Sequence, residues 1–371
     1  MTKMQTSYGF LWFFGGVAWF FALVAFVVWG PWTSKITPPE TARTFFSAAQ
    51  YNLLYNGRPR FDAQHPNPGF VVSAAQKAKL ANWGLNDCVG TDGTAAQDTS
   101  FLSGACFCEN SPAVKAVFDT GWAVQPSNTL STITLSVVGL IILGFLVFGD
   151  VPGRTNFMTT TYFFPLCYAF MTVALGPLSM ALHLGLHSWG GWFDSISLYV
   201  WFGFVACYGF YRFILALVGT TADQCPRWTW ILFGVAWLLC ILLAAGLTTP
   251  GHGDSDLWYI GLGAAALVGE GLLWLGNVAG FARSPATSFA PDGADHWWSK
   301  LPWDTGGRTW FASAGIMFFL ALAIWVLSFT QHPLCGPDSG FQGHAVFHSL
   351  SAVAAGFLYK YYRHEGEVSV A

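Results

Sequence analysis

Residues Thr160–Leu186 read TTYFFPLCYAFMTVALGPLSMALHLGL, 27 positions without one Lys, Arg, Asp or Glu. A helix needs about 20 mostly apolar residues to cross the hydrocarbon core of a bilayer, so this run is long enough to span. Seven more such runs lie on either side of it: Tyr8–Gly30, Asn128–Gly149, Asp194–Gly219, Trp228–Thr248, Leu257–Ala282, Thr309–Thr330 and Gly340–Tyr359. The composition agrees with this reading. Of 371 residues, 54% are hydrophobic and 9% charged, whereas soluble domains carry about 25% charged residues. So few charges do not cover a water-facing surface, which excludes a soluble globular or a disordered protein. With 16 Lys+Arg against 19 Asp+Glu there is no basic surplus to neutralise phosphates, which excludes a nucleic-acid binder. The expected class is an all-α integral membrane protein with eight transmembrane helices.

The charges orient the set. Lys3, Arg154, Arg212, Arg227, Arg283, Lys300, Arg308, Lys360 and Arg363 fall on one side of the expected topology, while connections 187–193, 249–256 and 331–339 contain no Lys or Arg. Positive residues mark the cytoplasmic side. Both termini are then cytoplasmic, and the long 31–127 segment lies outside. The first run exceeds the 7–15 residues or so of a signal-peptide core, so residues 1–30 read as an uncleaved anchor. Helix signals in the outer segment (Glu40–Leu54, Phe70–Trp83 closed by Gly84, and a start at Ser111-Pro112) predict a small helical cap, either a brace or a lid over an entrance. Residues 128–364 form the core and 365–371 a cytoplasmic tail. Cys88, Cys106, Cys108 and Cys335 share the outer side, where disulfides are permitted. Cys167, Cys207 and Cys240 lie in spans and read as small packing residues.

Ionisable residues inside spans are costly and mark function by default. Here they cluster. Ser179, His183 and His187 end one run, Asp194 opens the next, and His344 and His348 open the last, all at one depth near the outer face. His344 and His348 stand at i and i+4, on one face of a helix. With a third imidazole at that depth they offer three nitrogens, and three protein ligands plus an open position is the usual catalytic zinc set. The third ligand is His183 or His187. His183 is preferred because His187 lies beside the Trp189-Gly190-Gly191 loop. Asp194 is placed to carry protons, and the Ser179 hydroxyl to bond a developing oxyanion or a ligand. The plainer alternative, core histidines bonded to backbone or water, leaves the matched depth of Asp194 unexplained. Glu270, in mid-span, reads as a protonated carboxylate bonding another helix, with a supporting role at the site as the lesser alternative. Arg212 is expected to snorkel to the interface.

In chain order, Ser179-Met-Ala-Leu-His183, then Asp194, then His344-Ala-Val-Phe-His348 resemble the alkaline ceramidase family and the wider CREST superfamily of transmembrane zinc hydrolases. Cys335-Gly-Pro-Asp-Ser-Gly-Phe-Gln-Gly-His344 is similar to the segment before the final helix of bacterial ceramidase-like members. Gln125-Pro-Ser-Asn128-Thr129-Leu-Ser131 resembles the start of their first core helix. The resemblance spans residues 106–364. It implies a seven-helix core, with the first span and the cap as additions. It further implies Zn²⁺ held by His183, His344 and His348, with Ser179 and Asp194 in the catalytic positions. The implied reaction is hydrolysis of a membrane lipid, ceramide or a related N-acyl lipid, into fatty acid and amine, at the periplasmic face of a bacterial inner membrane. Eukaryotic members bind calcium through an Asp-Trp-Cys-Glu motif and a later Glu. Cys106-Phe107-Cys108-Glu109 and Gln125 stand there in this chain, and the two missing carboxylates argue against Ca²⁺. The retained Cys108 implies a Cys108–Cys335 disulfide, with Cys88–Cys106 as the second pair. Two rival readings remain: a bis-histidine haem b protein for electron transfer, which gives Ser179 and Asp194 no role, and a receptor or assembly subunit with a closed, structural zinc. Oligomeric state has no signature in the sequence.

Overall fold

The computed structural model describes residues 3–29, 126–148, 156–185, 188–220, 224–247, 255–279, 307–328 and 342–364. The expected cap, both expected disulfides and His187 lie outside these residues. Among the described residues all regular structure is helical. The helices are α1 (Lys3–Trp29), α2 (Pro126–Ser131), α3 (Ile133–Phe148), α4 (Phe157–Thr160), α5 (Phe163–Gly185), α6 (Ser188–Val218), α7 (Trp228–Leu247), α8 (Ser255–Ala279), α9 (Gly307–Leu327) and α10 (Gly343–His364).

Six stretches are long and apolar enough to cross a membrane: α1, the joined α2–α3, α5, α6, α7 and α9. This is the mark of a membrane protein. The other two expected spans also form helices, α8 of 25 residues and α10 of 22. Only Gly261–Leu275 of α8 is strongly apolar, because Glu270 and the polar ends of these helices dilute their hydropathy.

Burial separates centre from rim. In α5, 67% of the apolar window is buried, against 17% in α1 and α7 and 11% in α9. Helix α5 packs on α3 and α6, α10 packs on α2, α3 and α9, and α7 and α8 lie against α6. The core between them is aromatic, built on Phe164, Tyr168, Phe204, Tyr208, Phe233, Tyr359 and Tyr362.

Small residues set the α3–α5 seam. A Cβ on Gly139 would meet the Val173 amide nitrogen at 2.5 Å and the Ala169 carbonyl at 3.0 Å, both backbone atoms of α5 that have no rotamer to yield. Gly139→Val is expected to force this seam open and to destabilise the fold by about 1–3 kcal/mol, the usual range for overpacking, read as a lowered melting temperature in detergent.

The same seam repairs a break in α5. Pro177 sits inside the helix and has no N–H for the carbonyl four residues earlier, that of Val173. The Ser136 hydroxyl of α3 donates to that carbonyl at 2.7 Å. Gly176 leaves the room, since a Cβ there would lie 2.1 Å from Ser136 Oγ. In lipid, where no water can take up a freed carbonyl, such a neighbour is required.

The far end of the bundle corrects one expectation. Arg212 of α6 does not snorkel but is buried against Glu270, which bonds neighbouring helices as expected and takes a charged partner that was not expected. The guanidinium lies over the Tyr208 and Tyr362 rings at 4.7 and 4.9 Å, and Tyr361 Oη donates to the other carboxylate oxygen at 3.0 Å. Arg212 is 18 residues from Asp194 along α6, about 27 Å of helix. Glu270 therefore takes no part in the candidate site. Near this end Asn156 caps α4 and donates from Nδ2 to the Arg363 carbonyl at 3.2 Å, closing the end of α10.

Candidate metal centre

Two helix ends meet at the other end of the bundle. His183 lies in the last turn of α5, and His344 and His348 lie in the first two turns of α10. All three are buried. Their ring centroids form a near-equilateral triangle with sides of 5.0, 5.1 and 4.5 Å. One ligand nitrogen from each lies within 4.8 Å of the others.

The donors suit a metal ion. His344 Nε2 and His183 Nε2 face each other at 3.3 Å. Imidazole nitrogens bound to zinc at 2.0–2.1 Å in a tetrahedron stand about 3.3–3.4 Å apart, so this pair already has the spacing of two zinc ligands. Three buried imidazoles with no carboxylate in their group form a neutral nitrogen set suited to Zn²⁺. Three ligands leave a fourth coordination position.

The orientation of His348 is fixed from behind. Its Nδ1 lies 2.8 Å from Ser131 Oγ, and the Ser131 hydroxyl donates its hydrogen to the Asn128 carbonyl at 2.8 Å. With that hydrogen committed, Nδ1–H of His348 is the donor to Ser131. Nε2 then carries the free lone pair, the state a metal needs. Sequence reasoning quoted Ser131 only as part of a helix start. A hydroxyl at the same depth as the histidines was the available signal. Ser131→Ala is expected to weaken zinc binding about 10- to 100-fold, as loss of such an outer partner does, measured by competition with a chelator of known affinity.

Ser179 and Asp194 form a second, adjoining pair. Ser179 is buried one helical turn before His183, on the same face of α5. Its hydroxyl lies close enough to the side chain of half-buried Asp194 on α6 to interact with it. The close hairpin between the two helices makes this possible. A Cβ on Gly190 would stand 2.4 Å from the Ala181 carbonyl, so glycine there lets the start of α6 press against the end of α5. The structure thus joins His183, His344 and His348 in one cluster and links Asp194 to it through Ser179. Compared with protein-family models, with curated proteins and with solved structures, the chain finds no match in any of the three.

Proposed function

We propose that this chain is a zinc-dependent, membrane-embedded amide hydrolase of the alkaline ceramidase type, cleaving ceramide or a related N-acyl lipid into fatty acid and amine. The observation that carries the reading is the buried three-imidazole cluster with a Ser–Asp pair one turn away. His183, His344 and His348 would hold the ion. When bound, zinc supplies Lewis acidity, polarising a carbonyl and acidifying water. Asp194 accepts the proton of the attacking water and returns it to the departing amine, so the amide plus water becomes acid plus amine in balance. Ser179 holds the Asp194 carboxylate in place and offers its hydroxyl to the carbonyl oxygen as charge gathers there. A long acyl chain contributes about 0.8 kcal/mol per buried CH₂, so the tail can supply most of the binding.

The finer architecture belongs to the same proposal. Helix α1 is an N-terminal anchor, and α2–α3 with α5 to α10 make the seven-helix core. The 31–127 segment caps the core on the periplasmic side of a bacterial inner membrane, and both termini are cytoplasmic. The distribution of Lys and Arg supports this orientation. It sets the metal centre near the outer face. Of the rivals, a haem needs its two axial imidazoles on opposite faces of a porphyrin, and rings packed at 4.5–5.1 Å leave no space for one. A closed structural zinc needs a fourth protein ligand, and the metal-capable group among the described residues has three members.

The test uses detergent-purified protein prepared without chelator. About one zinc per chain by elemental analysis, with fatty acid released from ceramide in mixed micelles, abolished by chelation and restored by zinc, is the expected result. Absence of zinc, or a Soret band, would overturn the proposal.

A further inference from the structure

We infer that α1 is a positioning element for the metal centre, acting through Val27 and Phe26. The inference rests on the hydrolase reading above. Most of α1 faces outward: Leu11, Phe14, Phe21 and Trp29 are all well exposed. Among its described residues, Gly9, Gly16 and Val27 are the buried ones, so Val27 is the one buried side chain larger than hydrogen. It is 1% exposed and sits in a cluster with Met180, Ala181 and Leu184 of α5, bordered by Ile133 and Phe193.

Those neighbours adjoin the functional residues. Met180 follows Ser179, Leu184 follows His183 and Phe193 precedes Asp194. Successive residues on a helix point about 100° apart. A side chain wedged against residues 180, 181 and 184 therefore fixes the rotation of α5 that turns Ser179 and His183 inward. Phe26 meets Phe193 edge to face, centroids 5.7 Å apart, and steadies the start of α6 beside Asp194. The second tight docking point of α1 is remote from the centre: Gly16 against Leu143 of α3, 11 residues and about 16 Å of helix away from Val27.

Two docking points on one helix give a built-in control. Full-length wild type, Val27→Ala, Phe26→Ala and Leu143→Ala are purified and compared by zinc affinity in chelator competition, by thermal melting, and by kcat and KM on ceramide in mixed micelles. Val27→Ala is expected to weaken zinc about tenfold and to lower kcat. Phe26→Ala should lower kcat with zinc affinity and KM retained, because Asp194 is not a ligand. Leu143→Ala should lower the melting temperature and leave zinc affinity unchanged. A Val27→Ala protein that melts lower, as Leu143→Ala does, with wild-type zinc affinity would overturn the inference alone. A wild type without zinc would overturn the hydrolase reading and this inference with it. Should Val27→Ala not be recovered folded, Phe26→Ala still decides, since truncating a half-exposed ring opens no buried cavity, and a wild-type kcat there would refute positioning by α1.

Discussion

Replacing His344 and His348 together by alanine is expected to leave the protein without zinc and without the proposed hydrolysis. The two rings share one face of α10, 4.5 Å apart, and their loss leaves His183 as the single imidazole of the group. One neutral nitrogen does not retain the ion through purification, whereas three give a chelate in which each ligand holds the metal for the next. The helix itself should persist, because alanine is the best helix former and α10 is pinned at its other end by the Glu270–Tyr361 contact. Elemental analysis beside circular dichroism separates loss of metal from loss of fold. One zinc per chain in a helical double variant would sink the ligand assignment.

Asp194→Asn is expected to keep zinc and to lose turnover. The amide has the shape of the carboxylate, and its oxygen can still accept a hydrogen from the nearby Ser179 hydroxyl. The hairpin geometry therefore survives while the proton acceptor is gone. Removing a general acid–base group costs about 10²- to 10⁴-fold in rate, and the drop belongs in kcat rather than KM because the proposed mechanism gives Asp194 the proton transfers and not the tail. Wild-type hydrolysis by Asp194→Asn would remove Asp194 from the mechanism, and loss of zinc in the same variant would recast it as a ligand.

The histidines were legible because their chemistry is rare in its surroundings. An imidazole in an apolar run stands out, the i, i+4 spacing puts His344 beside His348, and shared depth links them to His183. Ser131 and Val27 were not legible, for opposite reasons. A serine near a helix start reads as a cap, and its bond to His348 bridges 217 residues. A valine in an apolar helix carries no signal at all, although Val27 is the one that is enclosed. Arg212 was not legible as the partner of Glu270 because each was weighed alone, and a single arginine in a span is resolved by snorkelling. Their pairing depends on α6 and α8 lying side by side, which single-residue chemistry does not reveal. The end of α10 was set at Tyr359, where the apolar run stops. The helix continues to His364 because Tyr361, Tyr362 and Arg363 are buried against the bundle.

The Arg212–Glu270 pair also bears on how the chain is made. The two residues are 58 positions apart, so at about 5–20 residues per second of synthesis the arginine precedes its carboxylate by about 3–12 s. Arg212 stands six residues before the end of α6, about 9 Å of helix, so until its partner arrives its long side chain is within reach of the membrane interface. Its buried position is therefore expected to be taken up only when α8 emerges, and the tyrosines of α10 come later still. The seam between α6 and α8 at this end of the bundle is thus expected to close only after Glu270 has been made, so the order of synthesis sets the order of packing.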